Sequence, residues 1–149
     1  MDVRLQLVTL DSPHYARERE LRYEVLRRPL GQAPGSEVFP YEAESLHLVA
    51  FNADGAVVGC VLFHGEGGEE EPAGRLFQMA VRDDLRGQGL GRRLVQGLEA
   101  RLVQRGVKRV YLHARADVTG FYVRLGYREI GAPFVEVGIE HREMEKRLG

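Results

Sequence analysis

The run from Gln78 to Leu94 limits most strongly what this chain can become. Gln78-Met79-Ala80-Val81 has strand character and leads through Arg82-Asp83-Asp84-Leu85 into Arg86-Gly87-Gln88-Gly89-Leu90-Gly91 and then directly into a helical pattern. Leu94, Val95, Leu98, Leu102 and Val103 keep helical spacing, and Gly106 is placed to end the helix. A strand that enters a helix through glycines makes an anion site. The glycines let the backbone turn tightly and approach a ligand, while the free N–H groups and the positive end of the helix dipole point at the same place. A pyrophosphate satisfies that geometry.

Spacing separates the ligands that such a turn can hold. A P-loop needs Lys-Ser or Lys-Thr after its last glycine, but Gly91 is followed by Arg92-Arg93. A dinucleotide fingerprint needs a third glycine where Arg92 stands, and it belongs early in a strand-helix-strand unit rather than after an antiparallel hairpin. A turn without a ligand is the remaining alternative, although glycines at a helix start lower local stability unless they have a use.

The rest of the chain reads as short elements. Val3, Leu5, Leu7 and Thr9 alternate as a first strand, and Asp11-Ser12-Pro13 offers a start for a helix through about Arg27. Pro29-Leu30-Gly31 stops it, and a surface loop follows. Leu46 to Phe51 and Ala56 to Phe63 form a hairpin about Asn52-Ala53-Asp54-Gly55. Gly65 to Gly74, glycine-rich and acidic, reads as an exposed, mobile connection before a strand from Arg75 to Val81. Val110, Leu112 and Ala114 give a further strand, and Asp117 can cap a short helix to Leu125 that Gly126 closes. Two closing strands follow, with Gly131-Ala132-Pro133 as the break. The pattern predicts an α/β (α+β) chain with a mixed, mostly antiparallel central sheet flanked by helices.

With 149 residues, 44% hydrophobic and 29% charged, one domain over residues 1–149 is expected. A net charge of -1 gives no field for capturing nucleic acid or an anionic membrane. No apolar stretch is long enough to span a bilayer, and no signal peptide is read, so the expected location is cytoplasmic. Cys60 is the only cysteine, which excludes an intrachain disulfide and a cysteine zinc cluster. Its place in the apolar run Val57 to Phe63 makes it a core residue rather than a nucleophile.

Arg86, Gly89 and Gly91 match the R/Q-x-x-G-x-G/A signature, and the chain thereby resembles the GNAT superfamily of acyl-CoA-dependent N-acyltransferases. The preceding QMAV strand matches too, and Phe121-Tyr122-Val123-Arg124-Leu125-Gly126-Tyr127 resembles the family's FYxxxGF element. The ending Gly138-Ile139-Glu140-His141-Arg142-Glu143-Met144 is similar to the GIPHxxM ending of the ElaA-like branch, with Glu140 in place of proline.

The resemblance implies a single GNAT domain that transfers an acetyl or other acyl group from acetyl-CoA (acyl-CoA) to a primary amine, by direct attack in a ternary complex. It puts the CoA pyrophosphate on the backbone of Arg86, Gly87, Gln88, Gly89, Leu90, Gly91 and Arg92. The pantetheine arm would lie along Met79, Ala80 and Val81, with Phe121 and Tyr122 facing the cofactor. The Met79 N–H becomes the oxyanion donor and Tyr122 the acid that protonates the leaving thiolate. No metal is expected. The acceptor is a small-molecule or peptide amine, and a homodimer through edge strands is admitted. An inactive acyl-CoA-binding sensor with the same fold is the alternative function. Candidates by type for a general base are Glu42, Glu44, His47, His113 and His141, whereas the amide of Gln78 cannot accept a proton. The loop from Pro29 to Glu44, with Tyr41, His47 and Glu136, is expected to line the acceptor pocket.

Overall fold

The structure, a computed structural model, describes residues 2–66 and 71–149. Seven strands form one sheet in the order β1-β2-β3-β4-β5-β7-β6. They are β1 (Val3–Val8), β2 (Leu46–Asn52), β3 (Val57–Glu66), β4 (Ala73–Val81), β5 (Arg109–Arg115), β6 (Arg128–Glu136) and β7 (Ile139–Arg147). All neighbours are antiparallel except β4 and β5, which the helix α2 (Leu90–Gln104) connects as a parallel crossover. Helix α1 (Tyr15–Arg22) continues through a π turn over Tyr23–Arg27 and a 3₁₀ turn over Arg28–Leu30, and α3 (Thr119–Arg124) follows β5. The mixed, mostly antiparallel sheet flanked by helices is the architecture that the alternation and helical spacing predict.

Each face of the sheet has its own core. Under α2 and α3, the row Leu90, Leu94, Leu98 and Leu102 packs on Leu48, Val58, Val61, Leu76, Val110 and Leu112. Each of these leucines is buried and contributes about 2 kcal/mol of transfer free energy. Under α1 a smaller apolar group gathers Val8, Leu21, Val49, Phe51, Cys60, Leu62, Phe77 and Ala80. No helix among the described residues is long and apolar enough to cross a membrane.

Four local expectations need correction. Helix α1 starts at Tyr15, and Ser12 Oγ accepts only the His14 N–H, so the Asp-Ser-Pro triplet forms a turn before the helix rather than its cap. Gly65 and Glu66 belong to β3, and Ala73 and Gly74 belong to β4, where they pair across the hairpin; the centre of the expected mobile connection, residues 67–70, lies outside the described residues. A Cβ at Gly74 would lie 2.3 Å from the His64 carbonyl oxygen, so this glycine serves close strand pairing. Asp117 pairs with Arg115 at 3.4 Å and gives α3 no side-chain cap. Gly131-Ala132-Pro133 interrupts the register inside β6, between Ile130 and Phe134, while Val137-Gly138 makes the turn between the closing strands.

Candidate active site at the fork between two strands

Strand β4 contains one residue more than β3 across the same stretch. Leu62 faces Phe77 and Cys60 faces Ala80, so three steps on β4 match two on β3. The extra residue is accommodated at Gln78, which has φ 52°, and the Cys60 thiol donates to the Gln78 carbonyl at 3.4 Å. Pairing of β4 with β5 covers only Ala73–Leu76 against Arg109–Leu112. Beyond that point β4 runs on to Val81 and β5 to Arg115 without pairing to each other, which leaves the β5-facing edge of Phe77–Val81 open for a ligand.

The glycine turn stands in front of this fork. Gly87 and Gly89 have φ 77° and 84°, values that an L side chain rarely adopts, and Gly89 caps α2. The N–H of Arg93 bonds to the Gly89 carbonyl, so those of Leu90, Gly91 and Arg92 have no acceptor within the helix. Arg86 is exposed and tied to Asp83 at 3.2 Å, whereas Arg92 is exposed with no ion-pair partner among the described residues. A Cβ on Gly91 would lie 3.3 Å from Phe121 Cζ and 3.6 Å from the Met79 terminal methyl. Turn, bulged strand and α3 therefore meet at one place, and three of the residues that the signatures single out touch there. Met79 and Val81 point toward the α2 core and Ala80 toward α1. Leu90 is buried, so only its backbone is offered at the turn, while the exposed Gln88 amide reaches back to the Asp84 carbonyl at 3.5 Å.

Tyr122 is buried on α3, its ring 4.9 Å from Phe121 and 5.8 Å from Tyr127. Its hydroxyl has no hydrogen-bond partner among the described side chains, and burial alone raises its phenol above the ordinary value of 10.0. Such a group keeps its proton until a stronger base arrives.

The base candidates fall into two groups and one outlier. Glu44 is exposed. Glu42 and His47 are locked into a buried network that sequence reasoning missed, built on Glu18 and Arg22 of α1. Arg22 bonds Glu18 at 2.8 Å, both oxygens of Glu42 at 2.8 and 2.7 Å, and the Glu37 carbonyl. Tyr15 and the Phe39 N–H also donate to Glu42. His47 faces acceptors with both ring nitrogens, Glu18 at 2.9 Å and the Glu42 carbonyl at 2.9 Å, so the ring carries both protons and balances the second carboxylate. Burial opposes that charge, but the Glu18 carboxylate outweighs it and raises the His47 pKa. Glu18, Glu42 and His47 have the spacing of a cation site, yet Arg22 already supplies the positive charge between the carboxylates. Arg22 Nε also reaches Gln78 Oε1 at 3.3 Å, which ties the network to the bulge. His113 and His141 lie elsewhere, on either side of Glu136.

Residues 20–148 match the acetyltransferase (GNAT) domain family. The chain is 34% identical over 134 residues to the Bacillus subtilis protein named "Uncharacterized N-acetyltransferase YitI", covering 85% of this chain and 89% of that protein. Its fold is similar to that of Escherichia coli ElaA, with a TM-score of 0.81 and 21% identity over 97% of this chain and 99% of that one. It is also similar to an aminoglycoside 6'-N-acetyltransferase solved with coenzyme A, with a TM-score of 0.76 and 17% identity over 97% of this chain and 96% of the other.

Proposed function

The chain belongs to the GNAT family of acyl-CoA-dependent acetyltransferases, and on that premise we propose that it moves an acetyl group from acetyl-CoA to a primary amine by direct attack while both are bound. The observation that carries this reading is the fork itself. An open strand edge begins at the Gln78 bulge, directly in front of a helix N-terminus with unpaired N–H groups. The pyrophosphate would rest on Arg86 to Arg92, with Arg92 free to add a charge-assisted contact. Pantetheine would extend the sheet along Met79, Ala80 and Val81, with Phe121 beside it. The Met79 N–H would receive the charge that develops on the thioester oxygen, and Tyr122 would protonate the departing sulfur. Cys60 is no acyl carrier in this scheme, because burial raises its thiol pKa and closes it off from a ligand. A lone, buried cysteine suits a reducing cytoplasm.

Calorimetric titration of acetyl-CoA into the wild type and Gly91→Glu tests the cofactor site. Glutamate is welcome in a first helical turn, but its Cβ would press on Phe121 Cζ at 3.3 Å, so a thermal melt must first show the fold intact before the effect of a carboxylate set beside the phosphate seat is read. Binding lost in the variant supports the reading, and binding unaffected by it removes the turn from the site. For Tyr122→Phe, turnover by thiol release should fall roughly 10²-fold with acetyl-CoA affinity intact.

A further inference from the structure

Beside the fork, on the α1 side of the sheet, two of the base candidates, His113 and His141, gather around Glu136, and the transfer scheme above leaves this cluster without a task. His113 is the first residue of β5 past its last pair with β4, and since Leu112 lies in the α2 core, His113 takes the opposite face. Arg115, two residues on, pairs with His141 of β7, which shares that face and that splayed end. Glu136 of β6 joins them, with His113 Nδ1 3.2 Å from Oε1, His141 Nε2 3.6 Å from Oε2 and Arg75 of β4 3.7 Å from Oε1. The Phe134 ring packs against both imidazoles, with centroids 4.9 and 5.9 Å away.

The proton positions follow from the partners. His141 Nδ1 lies 2.8 Å from the Ile139 carbonyl oxygen, which only accepts, so Nδ1 carries the hydrogen. Unlike His47, whose Nδ1 meets Glu18 at 2.9 Å, His141 Nε2 stands 3.6 Å from the Glu136 carboxylate, beyond hydrogen-bond reach, so no direct bond holds a second proton on the ring; in the neutral ring Nε2 is a lone pair facing another acceptor. Two acceptors at this distance repel unless a donor is shared between them. His141 is 6% exposed, but the Glu136 side chain is 37% exposed, so a ligand can reach the gap from solvent.

We propose that Glu136 and His141 Nε2 hold the ammonium group of the acceptor and that His141 Nε2 takes its proton. This rests on the acetyl-transfer reading and completes it. Cofactor phosphates sit on the α2 side of the sheet, the thioester enters the fork, and the amine approaches from the opposite face. The ammonium gives one proton to His141, and the imidazolium gains a charge-assisted bond to Glu136. The free amine attacks the thioester carbon; the C–N bond forms, the C–S bond breaks, and the sulfur leaves with the Tyr122 proton. The nitrogen's second proton replaces the one that Tyr122 gave up, and His141 releases its own to solvent. His113 is a positioning residue that fixes the Glu136 carboxylate. The site takes ammonium groups with hydrogens to share and excludes quaternary ones.

The test uses the full chain with ¹⁵N-labelled histidine, the His141 signal being assigned through His141→Gln. The ¹⁵N shifts read which ring nitrogen of His141 holds hydrogen, and without amine it should be Nδ1, bonded to the Ile139 carbonyl, and not Nε2. Millimolar n-butylammonium should shift its Nε2 resonance, tetramethylammonium should not, and Glu136→Gln should weaken the response at least tenfold. Thiol release from acetyl-CoA with n-butylamine should fall roughly 10²-fold in Glu136→Gln, with acetyl-CoA binding unchanged. The partly exposed position of Glu136 makes that variant the one expected to stay folded, which a thermal melt verifies. A hydrogen on His141 Nε2 in the absence of amine, or a Nε2 resonance indifferent to n-butylammonium, overturns the proposal. A response to ammonium in a wild type that binds no acetyl-CoA instead overturns the transfer reading and the catalytic step with it.

Discussion

The two faces of the sheet are packed by opposite means. Against α2 the filling is mainly leucine and valine with a few aromatic side chains, the buried carboxylate there, Glu99, is bonded by Tyr127 and Lys146, and stability comes chiefly from area removed from water. Against α1 the apolar cluster is smaller, and next to it two carboxylates, a guanidinium and an imidazole are buried together. An apolar face tolerates approximate fit, whereas a buried ionic group depends on every partner being present. The ionic face touches the bulge through Arg22 and Gln78, so the less tolerant construction lies beside the fork.

The sharpest way to break this contrast is Arg22→Met, which leaves two buried carboxylates, Glu18 and Glu42, with only the His47 imidazolium to balance them. Chemical denaturation should show a loss of about 4 kcal/mol, and replacing Glu18 and Glu42 by leucine in the same chain should recover much of it. On the other face Leu98→Ala should cost about 3 kcal/mol through the cavity it leaves, with no such rescue from a charge change. The pH dependence separates the faces further. The folded pKa of His47 is raised above its ordinary 6.5, so its contribution is complete below 6.5 and is lost as pH rises through the folded value. Burial raises the Glu42 carboxyl, but Arg22 and the other donors outweigh it and lower the pKa below 4.5; its contribution is complete above 4.5 and is lost as pH falls through the folded value. Urea midpoints should therefore be highest between these pH values, and His47→Gln should remove the decline on the alkaline side alone. The smallest effect is expected for Cys60→Ala, roughly 1 kcal/mol with turnover retained, because the thiol fills space and meets one carbonyl.

The same contrast explains what was legible in the sequence. Leu94, Leu98 and Leu102 announce the α2 face because an apolar stripe at helical period has one physical meaning. The glycine turn was legible for a similar reason, since Gly87 and Gly89 occupy backbone angles that other residues avoid. Glu18 and Arg22 carry no such signal. A glutamate four residues before an arginine on a helix reads as a solvated pair, and only the packing of α1 on β3 and β4 buries it. The cluster at Glu136 was visible only in pieces, because it joins four strands and includes the strand interrupted at Gly131-Ala132-Pro133, a stretch that alternation alone reads as a break between strands.

The short seam between β4 and β5 has a mechanical consequence. The sheet consists of two plates, β1 to β4 and β5 to β7, and among the described residues the strand ladder that rivets them together runs only where Ala73–Leu76 meets Arg109–Leu112. Local opening concentrates where the ladder is shortest, so amide exchange along the free edge of Phe77–Val81 should outpace that of the neighbouring strands. Anything lodged between the plates becomes a second rivet, and slower exchange there would report its arrival.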